Sequence, residues 1–247
     1  MNDIVWFYLI AIFIAAGLVK GVTGMGLPTV AMGLLGTFMP LPVAAALLVI
    51  PSLVTNLWQL FCGPALKVLW SRLWLMMTGI VVGTLAGSAF LISIDPGTSA
   101  FLLGAALMIY AGYALYSPVL NVAKRHERWL SPITGASTGI ITGVTGVFVM
   151  PAVPYLQALN LSKDELVQAL GLSFTVSTLA LAGGLYLHDA FQLNQLSLSL
   201  FSVIPALVGM GIGQKIRVKI SAKTFRKCFL LFLILLGVEL TLRPLLF

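Results

Sequence analysis

The chain of 247 residues is 60% hydrophobic and only 9% charged, and its formal net charge is +7. Soluble domains carry nearer a quarter of charged residues, so this composition excludes a soluble enzyme or binding domain. Long apolar segments recur along the whole length. They predict an all-α polytopic membrane protein, because helices satisfy their own backbone hydrogen bonds in lipid.

The first predicted element is the N-terminal apolar region. It begins with "MNDIVWFYLIAIF", which lacks the basic region and the cleavage site of a signal peptide, so we interpret it as a membrane segment. The region covers residues 4–39 and is broken near its middle by Gly-Val-Thr-Gly at residues 21–24. A second apolar region, residues 131–161, is broken by the same four residues at 143–146.

Six further apolar segments have about the 20-residue length that a bilayer requires. They cover residues 41–62, 73–93, 98–116, 165–187, 194–214 and 225–245. The halves of the two broken regions are shorter, at about 15 residues each, which is too short for a full crossing. We therefore predict two re-entrant helical hairpins, each followed by three transmembrane helices.

Lysine and arginine residues indicate which loops face the cytoplasm. They follow the first, third and fifth of the six spans and are Lys67, Arg72, Lys124, Arg125, Arg128, Lys215, Arg217, Lys219, Lys223, Arg226 and Lys227. The loops around Asp95 and Asp189 lack such residues and should face outward, which places both termini outside the cytoplasm. Because the basic residues lie in these loops, we do not expect nucleic acid as a partner.

The two halves of the chain repeat each other. The corresponding features are Ser52 with Ser173, Asn56 with Ser177, and Gly83-x-x-x-Gly87 with Gly209-x-x-x-Gly213. One hairpin plus three spans is an odd number of crossings, so the halves should have opposite orientations. We divide the chain into a first inverted repeat (1–116), a cytoplasmic linker (117–130) and a second inverted repeat (131–247). Broken helices in inverted repeats are typical of secondary transporters.

The two breaks are the predicted binding site. A helix break leaves backbone N–H groups unpaired, and glycine lets a ligand approach them closely, so two breaks near the bilayer centre would bind an anion. The candidate substrate-binding residues are Lys20, Gly21, Thr23, Gly24, Ser52, Asn56, Gly143, Thr145, Gly146, Ser173 and Ser177. The alternative is that the glycines only permit close helix packing.

Three other polar features have two interpretations each. Lys20 is either a secondary attractor near the substrate path or an ordinary cytoplasmic lysine. The stripe formed by Ser52, Thr55, Asn56 and Gln59 either lines a pathway or joins helices through hydrogen bonds. Glu239 either couples protons or, as the better interpretation, forms an i,i+4 ion pair with Arg243.

No motif in the sequence indicates an enzyme, a cofactor or a metal site. HExxH, GxSxG and P-loop patterns are missing, and no cluster of cysteine and histidine is present. Cys62 and Cys228 have neither the spacing nor the neighbours of a disulfide or a metal site. We therefore expect a transporter without a cofactor.

The sequence resembles the sulfite exporter TauE/SafE family of membrane transporters. The resemblance covers nearly the whole chain and rests on "GLVKGVTGMGLPTVAMGLLG", "LPVAAALLVIPSLVTN", "WLMMTGIVVGTLAGS" and "GASTGIITGVTGVFVMPAVPYL". The family often has adjacent glycines at the break, whereas here Met25 separates two glycines and Val147-Phe148 replaces glycine in the second half. The bulkier residues imply a smaller or more apolar pocket.

The resemblance and the residues together predict a secondary transporter. It would export small anions, such as sulfite, organosulfonates or related sulfur oxyanions, across a bacterial inner membrane. We expect alternating access, with the substrate held between the two breaks. An anion channel, an importer of small organic anions and an assembly subunit of a membrane complex are the alternatives. The partners are the small anion and the lipid bilayer, and the sequence leaves open whether the protein forms a homodimer.

Overall fold

The computed structural model describes residues 3–116, 120–190, 193–219 and 221–246. Within these ranges every regular element is a helix. The first half contains α1 (Asp3–Thr23), α2 (Leu27–Gly36), α3 (Leu41–Phe61), α4 (Leu66–Ser93) and α5 (Pro96–Tyr116). The second half contains α6 (Lys124–Thr145), α7 (Ala152–Gln157), α8 (Lys163–Leu187), α9 (Leu193–Phe201), α10 (Val203–Lys219) and α11 (Ala222–Leu246). The prediction of an all-α fold is confirmed.

Six stretches of the described helices are long and apolar enough to cross a membrane. They lie in α1, α3, α4, α5, α8 and the α9–α10 pair. The span predicted at 194–214 is therefore present, but its helix is interrupted at Ser202. The interruption has a local cause, because Pro205 has no backbone N–H with which to continue the helix ladder. The last predicted span, 225–245, falls within α11.

The arms of the two hairpins differ in length from the prediction. α1 has 21 residues and α2 only 10, and α6 has 22 residues and α7 only 6. The expectation of two halves of about 15 residues is therefore wrong. α6 also begins at Lys124, inside the predicted linker, and residues 117–119 lie outside the described part of the chain. Each hairpin thus combines one long arm with one short return.

The two breaks occur where the sequence predicts them. α1 ends at Thr23 and α6 ends at Thr145. The next residue in each case is a glycine in the left-handed region, Gly24 with φ 78° and Gly146 with φ 71°. A side chain with a Cβ is disfavoured in that conformation, so glycine ends each helix here.

Close glycine contacts join the two halves. A Cβ on Gly21 would lie 2.2 Å from the carbonyl oxygen of Met210 in α10. A Cβ on Gly143 would lie 2.7 Å from the Cα of Gly87 in α4. α1 thus packs on α10 as α6 packs on α4, with corresponding glycines at each contact. Gly21 and Gly143 are held in these packing contacts, as small residues are in membrane helix pairs.

The α3–α8 pair forms the centre of the bundle, and these two helices run antiparallel. Asn56 in α3 contacts Thr178 in α8, whereas Leu60, further along α3, contacts Gln168, earlier in α8. α5 and α11 are antiparallel as well, because Gly97 lies beside Pro244 and Ala114 beside Arg226. These two pairs of corresponding helices therefore run in opposite directions, while the inverted repeat itself stays a prediction. Their orientation in a membrane stays a prediction.

Candidate functional site

Lys20 lies in the interior of the helix bundle. Its residue is only 3% exposed. The ammonium group donates a hydrogen bond to Oδ1 of Asn56 in α3, which is itself fully buried. Asn56 in turn donates from Nδ2 to the hydroxyl of Thr178 in α8, at 3.2 Å. The interpretation of Lys20 as an exposed cytoplasmic residue is therefore wrong.

The ammonium group has no carboxylate beside it. Among the described residues, the ion pairs are Arg72 with Glu127 and Arg243 with Glu239. The second of these, at 4.0 Å, is the i,i+4 pair that the sequence indicates. Buried charges in membrane proteins normally pair with an opposite charge or mark a functional site. Lys20 is thus a buried basic residue whose hydrogen-bond partner is a neutral amide.

Three serines lie on the same two helices, α3 and α8. Ser52 lies one turn before Asn56, while Ser173 and Ser177 lie one turn apart on α8. All three are fully buried and make no hydrogen bond, and Oε1 of Gln59 is buried without a partner as well. Buried polar groups are usually hydrogen-bonded, so this layer has donors and acceptors available to a ligand.

The first break is hydrogen-bonded to Gln59, the last residue of the polar stripe on α3. Nε2 of Gln59 donates to the carbonyl oxygens of Gly24 at 2.9 Å and of Val167 at 3.0 Å. One amide therefore joins the break to both central helices. The space on the side of Gly24 where a Cβ would stand is open, since its nearest neighbour is Nε2 of Gln59 at 3.9 Å.

A cavity of about 200 Å³ adjoins the first break. Its lining includes Lys20, Gly24 and Gln59 from the site and Arg217 from α10. No acidic residue contributes to this lining. The cavity thus joins the buried ammonium to a second, peripheral cation.

A second cavity of about 250 Å³ shares Gly24, Val167 and Arg217 with the first. It adds Lys163 at the start of α8 and Arg226 near the start of α11. Arg217, Lys163 and Arg226 lie at the end of the bundle where α3 ends and α8 begins. We call the two cavities together the vestibule. Its positive lining attracts anions and raises their local concentration.

The two threonines of the breaks are not directed at a ligand. The Thr23 hydroxyl donates to the carbonyl oxygens of Val19 and Met25, at 2.8 and 2.6 Å. The Thr145 hydroxyl donates to Ile141 at 2.6 Å. The backbone N–H groups of Gly24 and Gly146 also remain bonded within their helices. The expectation that these groups serve as the main anion donors is therefore not met, because they complete the helix ends instead.

The second break is filled by a side chain. A Cβ on Gly146 would lie 2.6 Å from Cε of Met32 in α2. Val147 and Phe148, the next two residues, are buried, and the Phe148 ring lies 5.3 Å from that of Phe174. None of the cavities described above reaches this break.

The two breaks contact different parts of the central pair. The first lies beside Val167, near the start of α8. The second follows Gly143, which contacts Gly87, and the neighbouring Ser88 contacts Gly184 near the end of α8. Val167 and Gly184 are about 25 Å apart along α8, at 1.5 Å per residue. The ring of Phe148, two residues after the second break, nevertheless packs on Phe174 in the middle of α8. The expectation that the breaks meet at the bilayer centre stays a prediction.

Three contributors to the site were not among the predicted site residues. Gln59 joins the break to α8, Thr178 extends the contact of Asn56, and Arg217 lines the cavity. Gln59 belongs to the polar stripe on α3, so its spacing was a usable signal. Arg217 looks in sequence like any other loop cation. Only the packing of α10 on α1 brings it near the first break.

A family model described as Sulfite exporter TauE/SafE matches residues 9–240. The match covers nearly the whole chain. The protein belongs to the TauE/SafE family. It is therefore a multi-pass membrane protein of a family of anion exporters, which are transporters and not enzymes. No curated protein and no solved structure gives a significant match.

Membership in the TauE/SafE family agrees with the helical architecture. Long apolar helices supply the membrane-crossing segments. Among the described residues, no group of histidine, cysteine and acidic side chains could hold a metal ion.

Proposed function

We propose that this TauE/SafE protein is a secondary transporter that exports small anions by alternating access. The anion binds in the polar layer between the two breaks, where Lys20 provides the charge. The candidate substrates are sulfite, organosulfonates and related sulfur oxyanions. Membership in the family supports the class of transporter, and the following observations support the anion site and the transport mechanism.

The observation that carries the proposal is the buried ammonium group of Lys20. It has no adjacent carboxylate, and three buried serine hydroxyls on the two central helices have no hydrogen-bond partner. An oxyanion would accept hydrogen bonds from the ammonium and from Ser52, Ser173 and Ser177. Charge-assisted hydrogen bonds of this kind are about twice as strong as neutral ones.

The vestibule supports a conformation that is open to the cytoplasm. Arg217, Lys163 and Arg226 lie at the end of the bundle that also carries Lys67 and Arg72, and the positive-inside rule favours that end as cytoplasmic. A cytoplasmic anion would enter past these cations and reach Lys20.

The closed second break supports alternating access over a channel. In this conformation, Met32 fills the space beside Gly146 while the first break opens onto a cavity. The first break is thus open to a cavity, whereas the second break is filled by a side chain. A transporter requires such a difference, and a conformational change would exchange the open and closed ends.

The test is transport by purified protein in liposomes. Efflux of sulfite, methanesulfonate, sulfate and acetate would be compared with that of neutral taurine zwitterion. We expect saturable efflux of sulfite or methanesulfonate, which is strongly reduced but still measurable in Lys20→Gln. Lys67→Gln removes an exposed lysine outside the site and is the matched control. Efflux that never saturates would favour a channel, and the lack of any anion flux by folded protein would refute the proposal.

A further inference from the structure

The charge balance of the site determines how transport can be coupled. Lys20 is buried, and its ammonium hydrogen-bonds to the neutral side chain of Asn56. Asn56 in turn donates a hydrogen bond to the hydroxyl of Thr178, which is also neutral. In the absence of substrate, the ammonium form of Lys20 therefore has no opposite charge beside it.

The acidic residues with described side chains lie away from this site. Glu127 pairs with Arg72, and Glu239 lies beside Arg243. Asp164 and Glu165 stand in the first turn of α8, and Asp95 accepts from the backbone of Thr98 in the loop before α5. Asp189 follows the end of α8. None of them lines the cavity at Lys20, so the described chain supplies no counter-ion there.

The charge also occurs in only one half of the repeat. The position that corresponds to Lys20 in the second half is Thr142, whose hydroxyl donates to the carbonyl oxygen of Thr138 at 2.7 Å. The position that corresponds to Asn56 is Ser177. The polar layer therefore contains a single basic residue, and one monovalent anion neutralises its ammonium form.

We infer that the protein is a one-for-one anion exchanger, which rests on the proposed function. With an anion bound, the occluded site contains a neutral pair. Without it, closure at both ends would leave a bare ammonium group in an apolar bundle, which is costly. Rapid reorientation therefore requires a bound anion in each direction. The returning anion is a small monovalent oxyanion, because it uses the same donors.

The experiment compares exchange with net efflux. Full-length protein is reconstituted in phosphatidylethanolamine–phosphatidylglycerol liposomes that contain labelled methanesulfonate, with the membrane potential held at zero by potassium and valinomycin. The external solution contains either methanesulfonate or iso-osmotic sucrose. We expect efflux to be at least tenfold faster with external methanesulfonate. Equal rates would overturn the exchange mechanism while leaving the proposed transport function intact.

Two variants identify Lys20 as the cause. Lys20→Gln removes the fixed charge, so its residual efflux should no longer depend on external anion. Asn56→Asp places a carboxylate beside Lys20, so external anion should again lose its effect. Lys67→Gln should keep the tenfold ratio. If folded Lys20→Gln and Asn56→Asp both retain that ratio, the ammonium group does not impose exchange and the inference is wrong. If no variant and no wild-type protein transports methanesulfonate or sulfite, the proposed function fails as well.

Discussion

The two breaks have the same four-residue motif but different surroundings. At the first, Gly24 faces open space, Lys20 lies one turn earlier, and Gln59 holds the chain to both central helices. At the second, Gly146 is covered by Met32, and the residue that corresponds to Lys20 is a threonine. The backbone is thus repeated, whereas charge and access are not.

This comparison shows how a repeated backbone can build an asymmetric site. The glycine in the left-handed region ends the helix in both halves, and its flanking threonine closes the turn. Side chains from other helices then determine whether the space beside that glycine is open or filled. A single cation suffices to bias the polar layer towards anions, because no opposing carboxylate lies beside it.

The largest expected effect comes from removing the charge that distinguishes the halves. Lys20→Gln should weaken anion binding by about 1.5–3 kcal/mol, the usual value of a hydrogen bond to a charged group. That corresponds to roughly a 10- to 150-fold higher Kd for sulfite or methanesulfonate, measured by titration calorimetry. Thr142→Val is the matched change in the second half and should alter the Kd less than about threefold. Equal effects of the two substitutions would show that the halves contribute equally.

The next effect concerns the amide that holds the first break. Gln59→Leu should destabilise the protein by about 1–3 kcal/mol, because two carbonyl oxygens lose their donor. Thermal unfolding in detergent would measure this loss. Thr55→Val, one turn earlier on α3, removes only a hydroxyl bonded to the carbonyl oxygen of Pro51 and is the control. A Gln59→Leu protein as stable as Thr55→Val would contradict a structural role for the amide.

A smaller effect should separate the open break from the filled one. Gly24→Ala and Gly146→Ala both place a Cβ in the left-handed region, at a cost of about 1–2 kcal/mol. Only the Gly146 change also meets Met32, at 2.6 Å. In double-mutant cycles, Met32→Ala should therefore interact with Gly146→Ala by at least about 0.5 kcal/mol and not with Gly24→Ala. Coupling of Met32 to Gly24 instead would contradict the different surroundings of the breaks.

The smallest effect is expected in the vestibule. Arg217→Gln should reduce the initial transport rate a few-fold at low ionic strength, because an exposed cation steers anions towards the first break. The difference should shrink at 0.15 M salt, where the Debye length is about 8 Å. Lys67→Gln, at the same end of the bundle but outside the vestibule, is the control. A salt-independent loss in Arg217→Gln would mean that Arg217 acts by direct contact instead.

Much of the fold could be predicted from local sequence. Apolar length places the helices, and glycine followed by proline locates both breaks within a few residues. The arm lengths could not be predicted as well. α6 begins in a charged stretch that hydropathy assigns to a linker, yet Arg72 of α4 binds Glu127 at 2.6 Å and fixes that stretch as helix. Such an ion pair joins residues far apart in the chain.

The candidate site was predictable only in part. Ser52 and Asn56 recur at helical spacing, and Ser173 and Ser177 repeat them, so their burial on facing helices follows from the pattern. The roles of Thr23 and Thr145 did not follow. A hydroxyl at a helix end can donate outward or to its own backbone, and only the observed geometry shows the second choice.

The sequence by itself determined the membrane class, the helices, the repeated breaks and the TauE/SafE family, because these depend on composition and on neighbouring residues. The tertiary structure alone decided that Lys20 meets Asn56, that Met32 covers Gly146 and that Gln59 joins the first break to α8. These contacts depend on how distant helices pack and in which direction they run. Burial without a counter-ion is likewise a property of the whole bundle, and it makes Lys20 the proposed anion-binding group.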